Sequence, residues 1–230
     1  MNPHGATDPP LHHLGAMDIT VFVRARRIAT STWSDALDHL GIRGVMEGII
    51  VRSGSERIVG RAVTIHQDVG ALGMYPVEEF AVGRMLQAAA TGDVLVIDMG
   101  GATVSTLGGL ASHAAVARGI AGVIIDGGCR DIEEIGPTGL LVASRHVTPT
   151  SGKQRVRVTG INEPVHVGGV SVSLGDTVIA DLTGIVVVPA ARMGEVLALA
   201  EHLESQDARF RAALDTGGDF GEIAATLRHL

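Results

Sequence analysis

Two dipeptides in this chain carry residue types that bind a small acid, Gly108–Gly109 and Arg130–Asp131. Twenty residues, from Leu110 to Cys129, separate them. An arginine can bind an anion through its planar fork of N–H donors. An aspartate can hold a hard divalent cation. These side chains therefore suit a small oxo-acid that is bound through a metal ion, with Asp131 as the predicted metal ligand.

The glycine pair would contribute backbone groups. Gly108 and Gly109 are predicted to open a helix, so the N–H groups of Leu110 and Ala111 would project from its N-terminus. Such a helix end carries partial positive charge and binds carboxylate or phosphate. The alternative interpretation of the two dipeptides is a tight turn and a surface ion pair. Their convergence on one structural unit favours a site.

That unit is a predicted βαβ crossover. Val94–Ile97 and Val123–Ile125 are short apolar runs bounded by glycines, a pattern typical of buried strands. Apolar residues between them recur at helical spacing until Gly119, which is expected to end the helix. Two β-branched runs joined by a helix indicate parallel strands. Open α/β sheets bind ligands at the carboxyl edge of such strands, and Arg130–Asp131 follows the second run.

Composition narrows the class of protein. Hydrophobic residues make up 46% of the chain and aromatic residues only 3%, so the core must be aliphatic, as in α/β proteins with covered sheets. The net charge of −7 and the lack of a dense Lys/Arg run predict no nucleic-acid partner. No apolar run approaches transmembrane length, so no membrane partner is expected. The single cysteine argues against a disulfide framework and favours a cytoplasmic protein.

The chain is predicted to contain one large domain. Residues 1–28 would form an N-terminal arm and helix, residues 29–214 a single α/β domain, and residues 215–230 a C-terminal tail. The arm carries His4, His12 and His13, but loop histidines seldom bind metal without a packed site.

The sequence also predicts the starts of two helices and a strand that carries polar residues, all outside the two dipeptides. Thr32 is the predicted N-cap of a helix, with Asp35 in the capping-box position. Pro76 precedes a predicted helix over Val77–Ala90. A strand over Ile58–Val69 carries three polar residues that could face a cleft, Arg61, Thr64 and His66.

Three residues beside the Arg130–Asp131 pair are predicted to have no chemical role. Glu133 and Glu134 lie in a short helical turn and are expected to be solvated. Cys129 has no histidine near it in sequence to act as a base, so we interpret it as a small packing residue.

Taken together, these segments resemble the RraA-like proteins, a family that includes the class II 4-hydroxy-4-methyl-2-oxoglutarate aldolases. The matching pieces keep their order from about Ala29 to Leu214: Ser34–Leu37, Ile58–Thr64, Gly92–Asp98, Gly119–Gly127, Arg130–Asp131 and Gly175–Pro189. The resemblance implies an α/β fold of the swivelling β/β/α type with a central βαβ unit. It also implies assembly into homotrimers or homohexamers.

The resemblance assigns roles to the residues singled out above. In the aldolases, the arginine matching Arg130 binds the keto-acid, and the aspartate matching Asp131 holds Mg²⁺ or Mn²⁺. Backbone amides matching Leu110 and Ala111 bind the pyruvate carboxylate. The resemblance thus implies a divalent-metal-dependent lyase with Arg130 and Asp131 as catalytic residues. Its partner would be a small 2-oxo-acid, 4-hydroxy-4-methyl-2-oxoglutarate-like or oxaloacetate, cleaved to give pyruvate.

The family pattern includes two further acidic residues, one from a neighbouring subunit and one beside the first glycine of the motif. In the aldolases, an acidic residue from a neighbouring subunit's last helix also reaches the metal site, and the candidates here are Glu201, Glu204 and Asp207. The family motif is Gly-Asp or Gly-Glu, twenty residues, then Arg-Asp or Arg-Glu. Gly109 stands at the acidic position of that motif and supplies no carboxylate.

Two other functions compete with the lyase. Some relatives inhibit an endoribonuclease by contact, and the missing acid at Gly109 favours such a protein-binding regulator, whereas the retained Arg130–Asp131 pair disfavours it. A methyltransferase acting on a quinone precursor ranks last. Asp126 is the one candidate for binding a ribose, and aromatic residues for stacking are scarce.

Overall fold

A computed structural model describes residues 19–227 of the chain. The predicted N-terminal arm and its histidines lie outside the described residues, apart from the first helix. The helices are α1 (Ile19–Ala25), α2 (Thr30–His39), α3 (Val82–Ala88), α4 (Gly109–Ala117), α5 (Ile132–Ile135), α6 (Met193–Asp215) and α7 (Phe220–Leu227). The strands are β1 (Ile50–Ser53), β2 (Ile58–Val69), β3 (Val94–Asp98), β4 (Ser105–Leu107), β5 (Gly122–Cys129), β6 (Leu141–Val147), β7 (Val156–Ile161), β8 (Val165–Val167), β9 (Val170–Val172), β10 (Thr177–Asp181) and β11 (Gly184–Val188).

The strands form a mixed sheet and a separate hairpin. The main path of the sheet runs β1-β6-β5-β3-β2-β10-β11, with β4 attached to β5 and β7 attached to β2. Strands β2, β3, β5 and β6 are parallel to one another, whereas β1, β7, β10 and β11 add antiparallel pairs. Strands β8 and β9 form an antiparallel hairpin. The mixed α/β fold expected from the sequence is confirmed.

The predicted βαβ unit lies at the centre of this sheet. Strands β3 and β5 pair in parallel from Val94↔Gly122 to Asp98↔Asp126, and α4 connects them. The unit also contains β4, a three-residue strand that the sequence did not predict, which pairs with the end of β5. Strand β4 leads directly into α4 and so places the start of that helix beside the carboxyl end of β5.

Both faces of the central strands are buried. Leu95 and Ile97 of β3 join an apolar cluster with residues of α3, α4 and α5 on one face. Val94 and Val96 join a second cluster that includes the β8–β9 hairpin on the other face. Burial on both sides explains why β3 is a continuous apolar run, as is usual in parallel sheets. A third cluster packs α1, α2 and α6 against β10 and β11.

Two helices begin or end differently from the sequence predictions. Helix α2 starts at Thr30, and Thr32 is a buried residue inside it rather than its N-cap. The buried carboxylate of Asp181 accepts hydrogen bonds from the Thr30 amide (3.2 Å) and hydroxyl (2.6 Å), so the cap comes from a distant strand. The predicted helix over Val77–Ala90 is a 3-10 turn followed by α3, because Ala81 between them has a left-handed backbone (φ 44°).

The C-terminal part of the chain is helical. Helix α6 runs to Asp215 and α7 follows within the segment predicted to be a tail. Phe210 and Phe220 place their rings 4.9 Å apart at the contact of the two helices. The boundaries of the predicted domain stay a prediction. Within residues 19–227, no helix has both the length and the apolar character needed to span a membrane.

Candidate functional site

The glycine pair lies where the sequence placed it, at the N-terminus of α4. Gly108 is the N-cap residue, with extended backbone (φ −141°, ψ −170°). A side chain there would collide with the site, because a Cβ at Gly108 would lie 3.0 Å from Arg130 Nε and against the Asp131 carboxylate. Close approach of neighbouring side chains, and not an unusual φ, is therefore the reason for glycine at position 108.

Arg130 and Asp131 reach the same point from the end of β5. The Arg130 amide donates to the Leu107 carbonyl at 3.0 Å, which holds the end of β5 beside β4. Asp131 Oδ2 lies 3.3 Å from Arg130 Nε and accepts a hydrogen bond from the Gly109 amide at 3.1 Å. The two dipeptides thus meet through a charge-assisted contact, although twenty residues separate them. Their roles in binding and catalysis stay predictions.

Asp131 has an unusual backbone conformation. Its φ of 58° and ψ of 42° place it in the left-handed region, and it is the N-cap residue of α5. Aspartate tolerates this region better than most residues, but the conformation still costs roughly 1–3 kcal/mol. The Asp131 carbonyl accepts hydrogen bonds from the amides of Glu134 and Ile135, both at 2.9 Å, which hold the turn in place. The strained residue is thus the predicted metal ligand.

The first turn of α4 is open to an approaching ligand. The side chain of Leu110 is 87% exposed, whereas Gly109 is buried in the fold. Backbone N–H groups in a first turn have no partner within the helix, so those of Leu110 and Ala111 are available to an anion. Arg130 and Asp131 are partly exposed, with 38% and 32% of their side chains accessible. Together these groups form one solvent-accessible cradle.

Glu134 belongs to this cradle, which the sequence analysis did not predict. It is exposed, as expected, but its side chain lies over Gly109, and a Cβ at Gly109 would fall 2.9 Å from Glu134 Cβ and 3.0 Å from Cδ. The sequence held a usable signal, because residues three apart on a helical turn lie on the same side. A turn that begins at Asp131 therefore returns Glu134 towards the glycine pair.

The candidates on β2 do not join the cradle. Arg61 pairs with Asp93 at 3.2 Å, and the Thr64 hydroxyl donates to the Glu163 carbonyl at 2.6 Å. His66 Nδ1 lies 3.3 Å from Asp98 Oδ2. Each of these three side chains therefore contacts another part of the fold and not the cradle.

Cys129 is buried beside the Ser144 hydroxyl, with its sulfur 3.2 Å from that oxygen. Burial raises the pKa of the Cys129 thiol above its ordinary value. A raised pKa disfavours the nucleophilic thiolate. This environment agrees with the interpretation of Cys129 as a packing residue.

Two acidic residues of α6, Glu201 and Glu204, differ in the number of hydrogen bonds that they accept from arginine. Glu201 is bound by Arg24 through two hydrogen bonds, of 2.7 and 2.6 Å. Glu204 accepts a single hydrogen bond from Arg211 at 3.1 Å. Of these two acids, Glu201 is the less available to a second site.

The donor set of the cradle is a small group of carboxylate oxygens. In the part of the chain that the structure describes, no cluster of three or more His, Cys, Asp or Glu side chains is arranged to hold a metal ion. Mg²⁺ is commonly held by one or two carboxylates and otherwise keeps its water. Asp131, partly exposed and with Glu134 nearby, fits that kind of hydrated cation and not one enclosed by protein ligands.

Comparisons with known proteins identify relatives of the chain. Residues 30–187 match the family model described as RraA-like, Aldolase/RraA. The chain is 31% identical over 200 residues to the "Putative 4-hydroxy-4-methyl-2-oxoglutarate aldolase" of Halalkalibacterium halodurans, a match covering 86% of this chain and 90% of that protein.

Solved structures show the same relationship. An uncharacterized protein from Pseudomonas syringae pv. tomato superposes with a TM-score of 0.80 at 29% identity, covering 89% of this chain and 96% of the other. RraAS2 of Streptomyces coelicolor, described as an unusual member of the RNase ES inhibitor RraA protein family, superposes with a TM-score of 0.76 at 27% identity. That match covers 85% of this chain and 98% of RraAS2.

Proposed function

Because the chain belongs to the RraA-like Aldolase/RraA family, we propose that it is a carbon–carbon lyase that cleaves a small 2-oxo-acid to release pyruvate. The name of the Halalkalibacterium relative supports this class of reaction. One observation carries the proposal: the start of α4, Arg130 and Asp131 converge on a single accessible cradle. The proposed substrates are 4-hydroxy-4-methyl-2-oxoglutarate and oxaloacetate.

The start of α4 and Arg130 would bind the substrate's anionic groups. The amides of Leu110 and Ala111, at the positive end of the helix, would receive the carboxylate next to the 2-oxo group. Arg130 uses Nε in its contact with Asp131, so its terminal amino groups would bind a second oxygen of the substrate. This arrangement orients the bond between C3 and C4 relative to the 2-oxo group.

Asp131 would hold a divalent cation, Mg²⁺ or Mn²⁺. Its carboxylate is a hard oxygen donor and is partly exposed. When bound, such a cation supplies a Lewis acid that offsets the negative charge developing on the 2-oxo oxygen. The Gly109 amide holds the Asp131 carboxylate in place for this role.

The two proposed substrates share one bond-breaking step. The C3–C4 bond breaks and its electron pair stays on C3, conjugated with the 2-oxo group. In the aldol substrate, the C4 hydroxyl loses its proton as C4 becomes a carbonyl, and C3 gains a proton. In oxaloacetate, C4 leaves as CO₂ and C3 again gains a proton. Both routes end in pyruvate.

We also propose that the chain assembles as a homotrimer or homohexamer in the cytoplasm, with an acid from α6 of a neighbouring subunit completing the site. Arg24 binds Glu201 through two hydrogen bonds, whereas Arg211 binds Glu204 through one, so Glu204 is a stronger candidate than Glu201. Size-exclusion chromatography with light scattering tests the assembly.

The alternative function is a non-catalytic regulator that binds a ribonuclease. Its support is the likeness to RraAS2 together with the missing acid at Gly109. A tight complex with a ribonuclease, in a protein without lyase activity, would favour this alternative.

Pyruvate release from each substrate tests the lyase, measured with Mg²⁺, with Mn²⁺ and with chelator. Arg130→Ala and Asp131→Asn should each lower turnover to the rate without protein. Arg192→Ala is the matched control, since Arg192 is exposed and pairs with Glu195 away from the cradle. Full activity in either site variant would remove the assignment. The lack of metal-dependent turnover in the unaltered protein would remove the lyase.

A further inference from the structure

We propose that His66 is a positioning residue for the cradle, acting through Asp98 and the turn that follows β3. This inference rests on the proposed function and extends it to a side chain that lies away from the substrate. The turn, Met99–Ala102, leads into β4, and β4 ends at Leu107, next to the N-cap residue of α4. A side chain that fixes this turn therefore helps to fix where the substrate-binding end of α4 lies.

Asp98 holds the turn, and His66 holds Asp98. Asp98 Oδ1 accepts a hydrogen bond from the Gly100 amide at 2.9 Å, inside the turn. Asp98 Oδ2 lies 3.3 Å from His66 Nδ1. An ionised carboxylate only accepts hydrogen bonds, so Nδ1 must carry the proton of this contact. The Asp98 side chain is 13% exposed, so loss of the His66 donor would leave a largely buried oxygen without a protein partner.

A second carboxylate beside Asp98 makes this donor more important. Asp98 and Asp126 are opposite each other in the parallel register of β3 and β5, so their side chains leave the same face of the sheet. Neighbouring strands are about 4.8 Å apart, a distance at which two carboxylates repel each other. Arg145 binds Asp126 through two N–H groups. His66, opposite Asp98 on β2, is the donor placed at the other carboxylate.

The other contacts of the turn come from β5 and β6. The Asp126 carbonyl accepts hydrogen bonds from the amides of Met99 (3.2 Å) and Gly101 (3.0 Å). His146 Nε2 lies 3.0 Å from the Gly101 carbonyl. Gly100 and Gly101 have positive φ, 60° and 76°, which glycine adopts at little cost. Because glycine is also the most flexible residue, the turn depends on its hydrogen bonds, including the one from β3, to keep a single conformation.

The distance to the cradle makes the pair a positioning device and not part of the chemistry. Asp98 is in register with Asp126, four residues before Arg130 on β5. At about 3.3 Å per residue, the pair lies roughly 13 Å from the cradle, too far to contact a bound 2-oxo-acid. The competing role is a contribution to stability alone. Kinetics separate the two roles, because a residue that only stabilises the fold does not change the kcat/KM of protein assayed well below its Tm.

The test compares two His66 variants that differ in one hydrogen-bond donor. Asparagine places its amide nitrogen where Nδ1 lies, whereas leucine has nearly the same shape and no donor. His66→Leu should lower kcat/KM for pyruvate release about 10-fold, since a misplacement of about 1 Å can cost about 100-fold. His66→Asn should retain most of the unaltered value. His39→Leu is the matched control, because His39 is exposed on α2 and its ring contacts the Asp35 carbonyl of the same helix.

A double-mutant cycle tests whether His66 acts through Asp98. Asp98→Ala removes both contacts of the carboxylate and should lower kcat/KM at least as much as His66→Leu. Adding His66→Leu to Asp98→Ala should cost nothing further, because the histidine then has no carboxylate to hold.

Hydrogen–deuterium exchange gives a readout that does not need activity. Peptides that cover Met99–Leu107 should exchange faster in His66→Leu than in the unaltered protein. The same peptides should exchange at the unaltered rate in His66→Asn. Thermal unfolding of each variant confirms that it is folded at the temperature of the assay.

The outcomes separate this inference from the proposed function. If the unaltered protein is active and His66→Leu matches His39→Leu in kcat/KM, the positioning role is wrong and the lyase stands. Additive losses in the cycle, or equal losses in His66→Leu and His66→Asn, would also contradict the role. If the unaltered protein releases no pyruvate, the lyase and the positioning role within it are both wrong. Unchanged exchange in His66→Leu would show that the pair does not fix the turn, whether or not the protein is a lyase.

Discussion

Replacing Asp126 by asparagine should destabilise the protein through a single buried ion pair. Asp126 lies on β5 and is 7% exposed. One carboxylate oxygen accepts from Arg145 Nε, and the other accepts from Arg145 Nη2 (3.1 Å) and from the Gly168 amide (2.8 Å). The carboxylate thus ties β6 and the β8–β9 hairpin to β5. In asparagine, whichever way the amide turns, its NH₂ group faces an N–H donor of Arg145.

The decrease in the free energy of unfolding depends on how deeply the Asp126–Arg145 pair is buried. Removing one partner of a fully buried ion pair costs about 3–5 kcal/mol. The Arg145 side chain is 30% exposed, so water recovers part of that loss. We expect a decrease of about 2–4 kcal/mol in the free energy of unfolding. For a chain of this length, that decrease corresponds to a fall in Tm of about 5–15 °C.

The loss of stability in Asp126→Asn should be full at neutral pH and should decrease at acidic pH. Burial by itself would raise the pKa of Asp126, but the Arg145 hydrogen bond and charge, with the Gly168 amide, lower that pKa below its ordinary value. The unfolded chain therefore binds the proton more readily than the folded protein. The stabilisation is complete above the unfolded pKa of about 3.9 and is lost as the pH falls through the lower folded pKa. The difference between the two proteins should begin to narrow below about pH 4 and should close only below the lower folded pKa.

Thermal unfolding by circular dichroism from pH 3 to pH 8 measures both effects. Asp68→Asn is the matched control, because Asp68 also binds an arginine through two N–H groups, at 2.7 and 3.0 Å from Arg157. Both side chains of that pair are exposed, 38% and 43%, so its loss should cost about 0–1 kcal/mol. Equal shifts in the two variants at pH 7 would refute the argument from burial.

One further substitution and one chemical modification test the cradle and the cysteine beside it. Gly108→Ala should lower turnover about 100-fold, since the new Cβ displaces Arg130 and Asp131, while its extended backbone accepts alanine. Gly184→Ala, where a Cβ meets no atom within 4 Å, is the control, and equal kinetics in the two variants would contradict the prediction. Cys129 should resist iodoacetamide in the folded protein and react after unfolding, because burial raises the pKa of its thiol. Mass spectrometry measures the alkylation, and rapid modification of the folded protein would show that the thiol is accessible.

The local pattern of apolar residues was sufficient to predict the strands at the centre of the fold. The run predicted at Val94–Ile97 is the core of β3, and the crossover to β5 is parallel as expected. Strand β2 has the predicted bounds, Ile58–Val69. These elements are buried on one or both faces, so their apolar residues are continuous or regularly spaced and can be recognised without tertiary information.

The ends of the helices were less predictable. Helix α2 begins at Thr30 because Asp181, far away in the chain, accepts hydrogen bonds from that residue. The break falls on Ala81, which has a left-handed backbone although it is neither glycine nor asparagine. At Thr30, a contact with a distant segment overrode the local preference of the chain.

The sequence by itself determined which residues can bind an acid and a cation, through the types and spacing of Gly108–Gly109 and Arg130–Asp131. It also determined that a βαβ unit would bring these dipeptides to one edge. Only the tertiary structure decided that Asp131 adopts a left-handed backbone and that Glu134 lies over Gly109. The physical reason is that the contact of Glu134 with Gly109 depends on how closely α4 and α5 pack across the end of β5, and packing sets that distance where residue order cannot.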